Sequence, residues 1–140
     1  MGHIETFDHT ADVGLRVTAE TLDDLFATAA EGLFDYIVVN RREIREDETE
    51  TISLAAESSS DLLAKWLNEL IFRSETRHRV YTRFAVHVSD RGLALEAEIF
   101  GEPIDVSRHI LDHEVKAATQ HGLFLDQKAD GFLAEIILDI

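Results

Sequence analysis

The chain has 140 residues, 45% of them hydrophobic, and no cysteine. That is enough apolar material for one core, and it excludes disulfides, thiolate metal sites and cysteine nucleophiles. Asp and Glu number 28 against 13 Lys and Arg, and the net charge of −15 favours cations and basic partners over phosphate backbones.

No apolar run is long enough for a membrane span, and the N-terminus lacks a basic region followed by an apolar stretch. The expectation is therefore a single domain over 1–140, cytoplasmic, with no membrane and no direct nucleic-acid contact. In chain order, residues 4–8 and 13–19 read as two short strands around the turn in "FDHTADVGL". The period then changes. Leu22, Leu25, Phe26, Ala29, Ala30, Leu33, Phe34 and Ile37 form one apolar stripe at helical spacing, and Thr21 with Asp24 resembles a capping box.

Residues 40–50 are charged and read as a surface loop leading into a strand at 49–56. A second helix follows in "SSSDLLAKWLNELIFRSE", with Ser59 or Ser60 as its cap, Asp61 in its first turn, and Leu62, Leu63, Trp66, Leu67, Leu70 and Ile71 on its buried face. From Tyr81 the period is two. "DRG" at 90–92 turns the strand holding Phe84, Val86 and Val88 into one holding Leu93, Leu95, Ala97 and Ile99. After the polar, irregular "GEPIDVSRH" come strand-like runs at about 113–125 and 132–138, joined by "KADG". Roughly seven strands and two helices, the strands mostly antiparallel and in two groups, predict an α+β layered domain.

The candidate chemistry is sparse. Asp8, His9 and Asp12 cluster in the first turn, and a turn alone accounts for Asp and Gly there. The last strand ends on Asp139 and Ile140, placing a side-chain and a terminal carboxylate side by side. Were these groups to meet, a cation would have to neutralise them: Mg²⁺ or Ca²⁺ for an oxygen set, Mn²⁺ or Zn²⁺ with His9 included. Periodicity does not bring the two ends together. His3, near the terminus, is given no role; His78 and His87 read as exposed, His121 as core-facing, and His109 and His113 as either. Lys116 alone reads as a solvated strand residue. No phosphate-binding glycine loop, nucleophile elbow or paired H-x-[ST] motif is present.

Three stretches together resemble the archease family: "FDHTADVGLRV", "GEPIDVSRHILDHEVKAATQH" and the closing "LDI". The helical segments "LDDLFATAAEGLFDYI" and "SSDLLAKWLNELIF" are similar as well, so the resemblance spans nearly the whole chain. Gln120 stands where the family usually has Tyr, and Val106 where Pro is common, which removes a rigid turn element.

The resemblance implies a β/α/β sandwich with a divalent-cation site (Ca²⁺, Mg²⁺ or Mn²⁺) at Asp12, Asp139 and Ile140, with Asp8 and His9 beside it. It implies a non-catalytic activator of the RNA-splicing ligase that joins 3′-phosphate or 2′,3′-cyclic phosphate ends to 5′-hydroxyl ends in tRNA splicing. Such an activator promotes guanylylation and multiple turnover of the ligase, with Lys116 available to contact the ligase or its nucleotide. Two other readings compete. One is a metal-dependent phosphoester hydrolase, the other a chaperone-like interaction module.

Overall fold

In the computed structural model, which describes residues 2–9 and 12–140 and shows Asp8 and His9 by backbone alone, seven strands and two long helices account for most of the chain. They are β1 (His3–His9), β2 (Asp12–Ala19), α1 (Leu22–Ile37), β3 (Glu48–Ala55), α2 (Ser59–Arg77), β4 (Arg79–Val88), β5 (Ala94–Pro103), β6 (Ala117–Lys128) and β7 (Gly131–Asp139). A 3-10 turn at Arg41–Glu43 interrupts the charged loop after α1. One sheet has the order β1-β2-β7-β6 and the other β3-β5-β4, with every pairing antiparallel.

The helices lie between the sheets. Helix α1 packs on β2 to one side and β4 to the other, and α2 reaches β6 on one side and β3, β4 and β5 on the other. This sandwiching explains why α1 buries Leu25, Phe26, Ala29, Ala30, Leu33 and Phe34, a wider set than a helix resting on one surface needs. Each fully buried Leu or Phe here contributes roughly 1.5–3 kcal/mol. Trp66 ties the helices together, since its indole N–H donates to the Phe26 carbonyl at 2.9 Å. Its ring meets Phe84 edge-on, and Phe84 stacks on Phe34. The expected α+β, β/α/β architecture is the observed one.

Local signals account for most boundaries. The Thr21 hydroxyl accepts from the Asp24 N–H at 3.1 Å, as the capping pattern requires. Helix α2 starts one residue earlier than expected: Ser58, not Ser59 or Ser60, is the cap, accepting from the Asp61 N–H at 3.1 Å. The run predicted as a strand from 113 begins only at Ala117. Residues before it lie across the end of α1, where the Asp112 and His113 N–H groups donate to the carbonyls of Ile37 and Tyr36.

His121 is exposed rather than core-facing. Between Thr119 and Phe124 the register of β6 slips: β7 moves only from Ile137 to Glu135 over the same interval. The extra residues form a bulge containing Gly122 at φ 69°, and alternation does not carry through it.

Candidate functional site

Pairing of β2 with β7 sets Asp12 directly opposite Asp139. Residues opposed in an antiparallel pair project from the same face, so the two acids are cross-strand neighbours. The same row continues to His9 on β1 and Ala117 on β6. Asp8 is in register with Val13, one row further along. Lys116, exposed, donates its backbone N–H to the Asp139 carbonyl at 2.8 Å, which fixes its position beside that acid. Thus Asp12, Asp139, Lys116 and the backbone of His9 meet at one end of one sheet, with Ile140 next in the chain. The side chains of Asp8 and His9 lie outside the described residues, and among those described no group of three metal-ligating side chains converges.

The glycine in the opening motif has a packing reason. On the face that carries Asp12, a Cβ on Gly14 would lie 2.0 Å from the Phe7 ring, so only glycine lets that ring lie down on β2. The Arg16 guanidinium stands 5.0 Å from the centre of the same ring and hydrogen-bonds Glu135 at 2.6 Å and Glu5 at 3.1 Å. The acidic row is therefore bordered by a packed aromatic and a paired arginine that hold β1, β2 and β7 in one register.

The second long motif folds as a polar lock. Glu102, 3% exposed at the end of β5, accepts from the Arg45 N–H at 2.7 Å and is bonded to His109 Nε2 at 2.9 Å. Its other oxygen accepts from Arg108. The Asp105 N–H donates to His109 Nδ1 at 2.9 Å, so His109 carries its proton on Nε2 and donates it to Glu102. Burial pushes the Glu102 carboxyl up, but the donors from Arg108, Arg45 and His109 outweigh it and hold the group down at about 2. The Ser107 hydroxyl and N–H, both donating to Oδ1, keep Asp105 below the usual range. His109, open to either role from sequence, is thus a satisfied buried histidine. His113 is an exposed residue stacked on Tyr36 with ring centres 4.1 Å apart. Val106 stands 82% exposed at the tip of this loop.

Fold and site together define an acidic β/α/β domain in which an N-terminal hairpin and the last strand present paired carboxylates. The chain matches the Archease protein family (MTH1598/TM1083) over residues 4–140. It is 31% identical to the protein archease of Pyrococcus abyssi over 139 residues, 97% of each chain. To that of Methanopyrus kandleri it is 32% identical over 138 residues, covering 97% of this chain and 98% of the other. Among solved structures it is similar to protein 1598 of Methanobacterium thermoautotrophicum, with a TM-score of 0.79, 28% identity and 98% of each chain covered. The Thermotoga maritima protein described as an archease and possible chaperone shares the fold at 15% identity, TM-score 0.65, over 97% of this chain and 96% of that one. The chain belongs to the archease family.

Proposed function

We propose that this protein is a non-catalytic activator of an RNA-splicing ligase of the type that joins 3′-phosphate or 2′,3′-cyclic phosphate ends to 5′-hydroxyl ends. The observation that carries this reading is the direct opposition of Asp12 and Asp139, the two acids the family resemblance assigns to a cation. Opposed carboxylates repel unless a positive charge lies between them, and an all-oxygen donor set suits Ca²⁺, Mg²⁺ or Mn²⁺. Asp12, Asp139 and Ile140 would hold the ion, with Asp8 and His9 in the adjoining strand as further donors. When bound, the ion supplies positive charge for the phosphates of the ligase's nucleotide during guanylylation. The chain's own contribution is positional. The Phe7–Gly14–Arg16 packing keeps β2 and β7 in register, and the Lys116 backbone bond to Asp139 sets that side chain at the same edge, within reach of a nucleotide or a ligase carboxylate.

The acidic charge suits docking to a basic RNA-handling enzyme in the cytoplasm without competing for its RNA. The test is multiple-turnover joining of 3′-phosphate RNA to 5′-hydroxyl RNA by the cognate ligase, kept well below substrate. Wild type should restore turnover and Asp12→Ala should not, while both melt at similar temperatures. Equal stimulation by the two proteins sinks the cation role. No stimulation by wild type sinks the activator role itself.

A further inference from the structure

At the end of the molecule where both helices finish, a pocket of about 380 Å³ opens between α1, α2 and the segment leading to β6. Its floor is aliphatic, built from Ile37, Ile71, Ile104 and Val115. Three exposed carboxylates, Glu75, Asp112 and Glu114, stand around it. Among its described lining residues there is no lysine or arginine. Two imidazoles, His78 and His113, line it as well, and His113 Nδ1 stands 3.1 Å from Asp112, which leaves Glu75 and Glu114 as the carboxylates open to a cation.

The helix ends frame the pocket. Helix α1 has no basic residue in its last turn, and its C-terminal residue Ile37 is part of the floor. The last turn of α2 contributes Ser74 and Glu75, and the last α1 carbonyls, at Tyr36 and Ile37, are taken up by the His113 and Asp112 N–H groups, which holds the acidic segment 112–114 against the pocket. Leu111, 48% exposed, forms an apolar lip, and Ile110 and Val39 continue it, joined by the bond from the Val39 N–H to the Ile110 carbonyl at 2.8 Å.

An aliphatic floor inside a negative collar matches one kind of group, a long basic side chain. Its methylenes lie on the isoleucines while its cation sits among the carboxylates. A neutral aliphatic group would use the floor and none of the exposed carboxylates, and an acidic one would be repelled by Glu75 and Glu114. We propose that this pocket receives a lysine or arginine side chain from the surface of the ligase partner, and is the docking point that holds the two proteins together. The inference rests on the reading that a ligase is the partner, and it deepens that reading by giving the contact an address apart from the Asp12–Asp139 row. An enzyme that grips RNA carries such side chains in number, whereas RNA itself offers none. Glu102, Arg108 and His109 acquire a purpose on this view: their bonds set the course of the loop that carries Ile104 of the floor and Leu111 of the lip.

The test is the equilibrium dissociation constant for the purified ligase, measured by calorimetric titration with four forms of the full chain. These are wild type, Glu75→Lys/Glu114→Lys at the pocket, Glu57→Lys/Asp90→Lys as a control of equal charge change at exposed positions elsewhere, and Asp12→Ala. All four positions replaced in the two doubles are exposed, so the fold is preserved. The pocket variant is expected to bind roughly 100-fold more weakly and the control within about threefold of wild type. Asp12→Ala is expected to bind like wild type while failing to stimulate. Equal weakening by both doubles would show diffuse charge attraction and overturn the pocket. Unchanged affinity of the pocket variant, with wild type binding, overturns the pocket and leaves the activator reading standing. No binding by wild type overturns both.

Discussion

Glu102 shows how one carboxylate organises a loop of otherwise irregular backbone. It is buried, and burial alone would favour its neutral form; three donors from two places in the chain, Arg45 and the adjacent Arg108 and His109, reverse that preference. Its folded value of about 2 lies below the ordinary value of 4.5, so the stabilisation is fully present above the ordinary value and is lost as pH falls from there through about 2. The shift corresponds to roughly 3 kcal/mol at neutral pH. Glu102→Gln should lose about that much stability at pH 7 and show a flatter decline on the acid side than wild type. Urea unfolding at neutral pH and at about pH 3 measures both effects. Parallel losses in the two proteins between those conditions would mean that another carboxylate governs the acid limb. Asp12 and Asp139, by contrast, are organised by strand register. Their meeting depends on long-range pairing and on no motif, which is why neither end of the sequence discloses the other.

At the scale of elements, periodicity carried the helices and most of the strands, because each buries a stripe that repeats at 3.6 or 2 residues. It failed where backbone bonds, not side-chain burial, set the path. The bulge in β6 turned His121 outward, and the segment before Ala117 spends its N–H groups on the end of α1 instead of on a strand. The polar lock was illegible for a related reason: residues 102–109 pair with one another and with Arg45 across a folded loop, at no regular spacing. Strand β6 has a further anchor. Asn68 on α2 accepts from the Ala118 N–H at 2.8 Å and donates to the Ala118 carbonyl at 2.9 Å, standing in for a neighbouring strand at the sheet edge. Asn68→Ala removes both bonds and should cost about 2 kcal/mol, with faster amide exchange at Ala118. Because Ala117 pairs with Asp139, the same change should reduce ligase stimulation more than it reduces stability relative to a core truncation of equal cost. Melting curves and the turnover assay on both variants decide it; equal stimulation at equal stability would confine Asn68 to a structural part.

Over the whole molecule, charge and layering divide the labour. The two sheets enclose the helices, so the main core lies between the sheets and most charged side chains lie outside it. The surfaces carry the net charge of −15, and that charge acts at distances where no single contact does. An acidic domain approaching a basic enzyme is steered by the summed field, and salt weakens that steering because the screening length shrinks below the approach distance. Once docked, side chains held in a pocket are screened much less. Association and dissociation should therefore respond differently. The association rate constant with the ligase is expected to fall by roughly tenfold between about 0.05 and about 0.5 M salt, with the dissociation rate changing far less. The pocket reversal Glu75→Lys/Glu114→Lys should do the opposite, raising dissociation while altering association little more than the control reversal at Glu57 and Asp90. Stopped-flow mixing across the salt series separates the two. A pocket variant slowed only in association would assign the pocket to steering, and its carboxylates would then be part of the general field instead of a seat for one side chain.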